Sequence, residues 1–282
     1  MTDCVIIHKG YQPYLKYNLE ITSKNNFVYL IGDKSIKFLE NRNVKFIDIE
    51  KYENSEEISF LKSHFINYNS NSFDFEWFCF ARVFILDKFL KDFNLKKIFH
   101  LDSDNVLLTN INSLCFTSEI AYLIPLQQDN FRMSGSIHSA LLDNSFCLEF
   151  QNLFEDVYIN KNKFNLIEKK IKYHEQNNLN GGICDMTFYY LLYKEKILDI
   201  QNLFNPIVNK DSEEHIFVNN YGNGEGPSSK DNFQIKNNRI KIYSGKKILD
   251  LERNKKVSIC NIHFQGASKR YLNRFTKYKL SI

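Results

Sequence analysis

The chain has 282 residues, of which 43% are hydrophobic and 25% charged, and its formal net charge is +4. These values are typical of a globular protein with a sizeable core. The mild charge lacks the clustered Lys and Arg with which nucleic-acid binders displace counterions, so nucleic acid is not expected as a partner. The longest apolar run, Phe75–Leu90, is interrupted by Glu76, Arg82 and Asp87, which argues against a membrane span.

The predicted compartment is the cytoplasm. The six cysteines are scattered without a Cys-x-x-Cys pair, which is typical of buried thiols in a reducing environment. The N-terminus becomes polar after a handful of apolar residues, unlike a secretory signal. Basic residues concentrate only in Ser268–Leu280, which is either a solvated helix face or a peripheral contact with the cytoplasmic face of the membrane.

The first part of the chain alternates between strand and helix patterns. Asp3–Lys9 is a β-branched run that predicts a buried strand, and a helix is expected to begin at Pro13. Two further strands are predicted at Phe27–Asp33 and Val44–Ile49, with a helix-sized segment at Ser35–Asn43 between them. This alternation predicts an α/β fold with a parallel sheet wound by crossovers.

The next segments lead to two aspartates. After a predicted polar loop at Glu53–Ser72, the apolar segment Glu76–Phe93 predicts a buried helix. The predicted strand Lys96–Leu101 then ends directly before Asp102 and Asp104. Ligands of open parallel sheets bind outside the carboxyl ends of the strands, so this acidic pair lies where a site is expected.

The rest of the chain shows no internal repeat and no boundary between independent domains. It contains a predicted strand and two predicted helices, at Glu119–Leu126, Ala140–Ile159 and Ile183–Lys196. The composition then shifts at Val208–Phe233, where Tyr221–Ser229 is either a flap that closes over a ligand or a surface connection. A hairpin turned at Asn237-Asn238 and a strand ending at His263 follow.

The acidic pair predicts a metal site. On an extended chain, side chains two residues apart point to the same side, so Asp102 and Asp104 repel each other unless a cation lies between them. The alternative is a simple turn, because Asp and Ser are turn formers. His263 follows another buried strand and is either a third ligand at the same sheet edge or a satisfied core histidine. Two carboxylates and one imidazole suit Mn²⁺, with Mg²⁺ as the alternative.

Three more residues could place positive charge or exposed backbone near such a metal. Gly266 permits close approach of the backbone to a ligand, and Lys269 could bring an ammonium to a phosphate. Together with the metal they would form a clamp for a diphosphate, such as the leaving group of a nucleotide-sugar. Arg82 lies in an apolar helix and requires a partner, either a carboxylate of the acidic pair or Glu76.

The order of these features resembles the GT-A nucleotide-sugar glycosyltransferases, in particular glycosyltransferase family 8. The matching segments, over about residues 4–270, are "CVIIHKGYQPYL", "FCFARVFIL", "HLDSDNVLL", "MSGSIHSALLDN", "GGICDMTFYYLL" and "IHFQGASK". The resemblance implies a GT-A (Rossmann-like), mostly parallel central sheet flanked by helices, with a C-terminal hairpin and tail. It also implies a single domain, 1–282, with a nucleotide-binding half at 1–125 and a sugar and acceptor half at 126–282.

The resemblance assigns roles to individual residues. The metal ligands would be Asp102, Asp104 and His263, and the catalytic residues Asp185 and Arg82. Donor binding would fall to His8, Lys9, Tyr11, Asp33, Arg82, Ser103, Ser134, Gly135, Ser136, Gly182, Gly266 and Lys269. Simple packing explains Tyr11 equally well, a turn explains Asp33, and an N-cap explains Asp185. The chain departs from the family at His8 and Lys9, where acidic residues are usual, and at Ser134 and Ser136, where Asn and Ala are typical.

The function predicted from the sequence is therefore metal-dependent transfer of a sugar, expected to be UDP-linked, to a glycan or lipid-linked acceptor in surface polysaccharide or lipopolysaccharide synthesis. The resemblance implies retention of configuration. One alternative is a sugar-nucleotidyltransferase, although "HKGYQPY" is a poor version of its Gly-rich opening loop. The other is a carbohydrate- or ion-binding module without catalysis.

Overall fold

A computed structural model describes residues 1–125, 128, 131–219, 221, 241–243, 245–251 and 253–273. Its strands are β1 (Asp3–His8), β2 (Val28–Gly32), β3 (Val44–Asp48), β4 (Lys97–Leu101), β5 (Asn105–Leu107), β6 (Leu114–Cys115), β7 (Ile120–Leu123), β8 (Ser136–Asp143), β9 (Ile200–Asn202), β10 (Ile207–Asn209), β11 (Glu214–Val218), β12 (Ile242–Tyr243), β13 (Lys247–Asp250) and β14 (Lys255–His263). Its α-helices are α1 (Pro13–Thr22), α2 (Glu50–Glu53), α3 (Glu56–His64), α4 (Phe73–Asp92), α5 (Asn144–Phe154), α6 (Asn165–Gln176) and α7 (Asp185–Lys194). Within these ranges, no helix has both the length and the apolar character that crossing a membrane requires.

The first sheet has the strand order β3-β2-β1-β4-β8-β7-β9. Strands β1 to β4 pair in parallel, and β8 is antiparallel to both of its neighbours. Both faces of the sheet are covered: Val5 and Ile7 of β1 pack in the core that contains α4, whereas Ile6 packs with Leu15 of α1. The predicted α/β class with a mostly parallel sheet is therefore confirmed.

A second sheet was not predicted. Its strand order is β12-β13-β14-β11-β10-β6, and β5 pairs with β14 outside this path. The last predicted strand, which ends at His263, belongs to this sheet rather than to the parallel one. Several of its strands are two or three residues long, so no periodicity in the sequence indicates them.

Two predicted segments were wrong in type. The helix predicted at Ala140–Ile159 begins only at α5, because its first four residues end β8 and the Asp143 carboxylate caps the helix by accepting from the Phe146 N–H at 2.9 Å. The polar loop predicted at Glu53–Ser72 contains helix α3, capped by Ser55. The helix-sized segment predicted at Ser35–Asn43 contains only a short 3₁₀ helix, Lys34–Leu39, and α6 was not predicted.

Other predictions concern residues outside the described ranges. They are the proposed flap beyond Tyr221, the turn at Asn237-Asn238 and the basic tail from residue 274 onward. The prediction of buried thiols holds for Cys4, Cys147 and Cys260, whereas Cys115 is exposed.

Candidate functional site

A cleft of about 860 Å³ opens at the carboxyl ends of β1 and β4, the position expected for a ligand site in a parallel sheet. Most of the residues predicted for the site line it: His8, Lys9, Arg82, Asp102, Ser103, Asp104, Ser134, Ser136, Gly182, Asp185, His263, Gly266 and Lys269. Tyr11, Asp33 and Gly135 are not among the lining residues. The predicted residues from distant parts of the chain thus largely meet in one place.

Asp102, Asp104 and His263 form the centre of the cleft. One ligand atom from each lies within 4.8 Å of the others, and His263 Nε2 is 3.3 Å from Asp104 Oδ1. Strand pairing explains this convergence. The antiparallel register of β5 and β14 places His263 opposite Asn105, and the Phe264 N–H donates to the carbonyl of Asp104 at 2.9 Å.

The chemistry of this group fits a divalent cation. The Nδ1–H of His263 donates to the carbonyl of Asn219 at 2.7 Å, which directs Nε2 toward Asp104. Burial alone would raise the pKa of Asp104, but the hydrogen bond from His263 and the charge of Lys269 lower it to about 2. Two carboxylates and an imidazole are a donor set that suits Mn²⁺ or Mg²⁺.

Arg82 joins two carboxylates across the cleft. Its Nη1 donates to Asp102 at 2.8 Å and its Nη2 donates to Asp185 at 2.9 Å. The prediction that Arg82 pairs with a carboxylate of the acidic pair is confirmed, and Glu76 is not its partner. Burial acts to raise the pKa of Asp102, but the charge of Arg82, together with smaller contributions from His100 and His263, lowers that pKa overall.

Asp185 is held by two side chains and by the backbone at the start of α7, where its Oδ1 accepts a hydrogen bond from the Met186 N–H at 2.8 Å. It is the first residue of α7, and the N-cap is Cys184. Besides Arg82, its carboxylate accepts a hydrogen bond from the Tyr189 hydroxyl at 3.1 Å. Asp185 is 5% exposed, so its orientation in the cleft is fixed by these contacts.

The turn after β14 brings the Lys269 ammonium and the backbone of Gly266 to the cleft. Lys269 Nζ lies 3.1 Å from Asp104 Oδ2 and 5.1 Å from the ring centroid of Tyr14. Gly266 has a φ of +57°, and among the described residues other than its two chain neighbours no atom lies within 4 Å of the position that a Cβ would occupy. A ligand could therefore reach the backbone at Gly266, as the sequence predicted.

A side chain of helix α1 forms hydrogen bonds with the backbone of the turn that contains Asp102 and Asp104. The Asn18 side-chain amide donates to the carbonyl of Ser103 at 2.7 Å and to that of Asn105 at 3.0 Å. The Thr22 hydroxyl in turn donates to Asn18 Oδ1 at 2.7 Å. Sequence reasoning missed Asn18, although a fully buried asparagine on the apolar side of a helix requires such partners.

A buried pair of asparagines, Asn105 on β5 and Asn261 on β14, links the second sheet to β8 of the first. Asn261 Nδ2 donates to Asn105 Oδ1 at 2.7 Å, and Asn261 Oδ1 accepts from the Val218 N–H at 2.7 Å. Asn105 Nδ2 donates to the carbonyl of His138 on β8 at 2.5 Å. The signal that could have revealed Asn261 is its position two residues before His263, within an otherwise apolar strand.

His138 is a further residue that sequence reasoning missed. Its ring stacks on that of His263, with centroids 4.2 Å apart and an angle of 19° between the planes. Its Nδ1 lies 2.6 Å from the Ser136 hydroxyl, and the residue is 1% exposed while lining the cleft. His138 therefore fixes the plane of the His263 imidazole.

Two glycines assigned to donor binding allow close packing of backbone. A Cβ on Gly135 would lie 2.9 Å from the Tyr190 nitrogen of α7. A Cβ on Gly182, which has a φ of +134°, would lie 2.1 Å from the carbonyl oxygen of Tyr68. A larger residue at position 135 would collide with the middle of α7, and one at position 182 would collide with the backbone at Tyr68.

Only some of the residues predicted to contact the nucleoside line the cleft. His8 lines the cleft at the end of β1, and Lys9 forms an ion pair with Glu53 at 2.8 Å. Asp33 accepts a hydrogen bond from the Gly10 N–H and caps the short 3₁₀ helix that follows β2. Tyr11 is 42% exposed outside the cleft. Contact of Tyr11 or Asp33 with a nucleoside stays a prediction.

No protein-family model and no curated protein matches this sequence. Three similar solved structures are of glycosyltransferases. Mouse xyloside xylosyltransferase 1 in its apo form has a TM-score of 0.46 and 12% identity over 72% of this chain and 84% of its own. A glycosyltransferase involved in the glycosylation of the major capsid of PBCV-1 has a TM-score of 0.42 and 10% identity over 98% and 99%. The PaToxG glycosyltransferase has a TM-score of 0.42 and 13% identity over 71% and 70%.

Proposed function

We propose that this protein is a metal-dependent glycosyltransferase that moves a sugar from a nucleotide-sugar to a glycan or lipid-linked acceptor. The observation that carries the proposal is the convergence of Asp102, Asp104 and His263, with Lys269 beside them, in a cleft of about 860 Å³. A cleft of this size with a few placed polar groups suits a ligand as large as a nucleotide-sugar. The family resemblance favours a UDP-linked donor, retention of configuration and surface polysaccharide or lipopolysaccharide synthesis.

The charges of the cleft suit a diphosphate leaving group. A divalent ion, Mn²⁺ or Mg²⁺, held by Asp102, Asp104 and His263 would neutralise the negative charge that develops as the glycosidic bond breaks. Lys269 supplies a fixed ammonium next to Asp104, and Gly266 leaves the backbone open for a phosphate. Arg82 sets the position of Asp185, which we assign to the neighbourhood of the reacting sugar.

The proposal also covers the organisation of the chain. In one domain, residues 1–125 would bind the nucleotide, since β1 and β4 bring His8 and the acidic pair to the cleft. Residues 126–282 would bind the sugar and acceptor, because they contribute Asp185 and the turn after His263. Strands from both halves share the first sheet, which supports a single domain.

A panel of nucleotide-sugars tests the proposal. We expect slow Mn²⁺-dependent hydrolysis of one donor, measured as release of the nucleoside diphosphate, and complete loss of hydrolysis with a chelator. Asp104→Asn should lower the rate by about a hundredfold, since it removes a charged metal ligand. Asp211→Asn, in an exposed turn outside the cleft, is the matched control and should keep the rate of the unaltered protein.

The alternatives give different products. A sugar-nucleotidyltransferase would instead consume pyrophosphate and release a sugar phosphate and a nucleoside triphosphate. An ion-binding module would bind Mn²⁺ but show neither nucleotide affinity nor turnover. Either result would refute the glycosyltransferase.

A further inference from the structure

Glu76 is a buried carboxylate in the cleft that the proposed chemistry does not use. It lies in the first turn of α4, is 2% exposed and lines the cleft. Its Oε1 accepts a hydrogen bond from Asn71 Nδ2 at 2.6 Å, whereas Oε2 has no hydrogen-bond partner among the described atoms. Burial of an unpaired carboxylate oxygen is unfavourable, so such an atom in a cleft indicates a position where a ligand donates a hydrogen bond.

Glu76 lines the same cleft as Asp185 but is not part of the proposed metal site. Burial raises the pKa of Glu76, and the negative charge of Asp185 contributes to that rise. Arg82, which contacts Asp185, lies six residues further along α4, or ~9 Å along the helix axis. A group bound beside Asp185 could therefore reach Glu76 while the metal and diphosphate occupy the positions around Asp104.

The neighbouring residue supplies an apolar surface. Phe75 is 58% exposed and also lines the cleft, so its ring is available to a ligand. A flat aromatic ring next to a hydrogen-bond acceptor matches a pyranose, which has an apolar C–H face and hydroxyl groups at its edge. A carboxylate accepts hydrogen bonds and repels anions, so it favours a neutral hydroxyl-bearing ligand over a phosphate or a carboxylate.

We propose that Phe75 and Glu76 form the acceptor subsite, in which Phe75 packs against a neutral sugar ring and Glu76 Oε2 accepts a hydrogen bond from one of its hydroxyl groups. This inference rests on the proposed function, because it assigns the second substrate of the same cleft. Glu76 binds the acceptor directly and determines its specificity in this arrangement, and Asn71 is the positioning residue that orients the Glu76 carboxylate.

The test uses saturation-transfer NMR with the full chain, Mg²⁺, UDP and a panel of methyl α- and β-hexosides as probes. At least one glycoside should give signals with the unaltered protein. Its affinity should fall by about tenfold or more in Glu76→Gln, since a hydrogen bond to a charged group is lost. A similar loss is expected in Phe75→Ala, whose exposed ring can be removed without disturbing the core. The affinity for UDP should stay unchanged in both variants.

Asp87→Asn is the matched control, since Asp87 is a buried carboxylate on the same helix, paired with Lys91 and outside the cleft. It should keep the glycoside signals. The proposal is overturned if no glycoside binds to the unaltered protein, if both variants keep its affinity, or if UDP affinity falls in parallel with it. Failure of the proposed function gives a different result, namely no metal-dependent binding of UDP to the unaltered protein.

Discussion

At the scale of single residues, Arg82 organises the charges of the cleft. Its guanidinium donates to Asp102 and Asp185 at the same time, and both contacts are shorter than 3 Å. The sequence predicted the first partner because a buried arginine in an apolar helix requires a carboxylate. The second partner could not be predicted, since nothing in the sequence states how α7 lies against α4.

Replacing Arg82 should affect activity and stability differently according to the substitution. Arg82→Lys keeps the charge but lacks the fork that spans two carboxylates, so we expect hydrolysis of the donor to fall by about tenfold or more. Arg82→Ala leaves Asp102 and Asp185 without their shared partner, and should lower the free energy of unfolding by about 3 kcal/mol. Urea denaturation measures this loss.

Lys88→Ala is the control for this experiment, because Lys88 lies on the same helix and pairs with the exposed Glu57. Its effect on stability should stay below about 1 kcal/mol. Equal free energies of unfolding for Arg82→Ala and Lys88→Ala would show that the folded protein accommodates Asp102 and Asp185 without the Arg82 guanidinium.

At the scale of secondary-structure elements, the pairing of β5 with β14 builds the metal site. The register of three residue pairs, from Leu107 with Asn261 to Asn105 with His263, brings the end of the second sheet to the acidic pair. The sequence indicated a buried strand before His263 and a site after β4. It could not indicate their pairing, because β5 has only three residues and pairs with the second sheet rather than with the sheet that contains β4.

Asn261 tests the importance of this junction. Asn261→Ala removes the partner of Asn105 Oδ1 and of the Val218 N–H, both of which are buried. Loss of these two hydrogen bonds should lower the free energy of unfolding by about 2–4 kcal/mol, measured by denaturation. Asn177→Ala, at an exposed helix end, should cost less than about 1 kcal/mol. A small effect of Asn261→Ala would mean that the amide pair contributes little to holding β5 and β11 against β14.

At the scale of the whole molecule, the sequence predicts those strands and helices that leave a pattern among neighbouring residues. The α/β class, the strands β1 to β4 and the helices α1, α4 and α7 follow from runs and periodicities of apolar residues. The helix predicted at Ala140–Asp143 was wrong, because a short apolar run fits a strand as well as a helix. Contacts such as those of Asn18 or His138 arise only from tertiary packing, so sequence patterns alone do not reveal them.

The convergence of residues from distant segments makes one strong prediction for the whole protein. If Asp102, Asp104 and His263 hold a cation that binds a diphosphate, nucleotide binding must depend on the metal and on each ligand. Neither sheet alone provides this site, since the acidic pair follows the first sheet and His263 ends a strand of the second.

Calorimetric titration of UDP and GDP, with and without Mn²⁺, tests this central claim most directly. We expect UDP to bind only with Mn²⁺, binding to be lost in Asp104→Ala, and affinity to fall by about tenfold or more in His263→Ala, because an imidazole ligand is removed. Lys210→Ala, an exposed substitution outside the cleft, should bind UDP as the unaltered protein does. UDP affinity that stays unchanged in both Asp102→Ala and His263→Ala would contradict the proposed metal site.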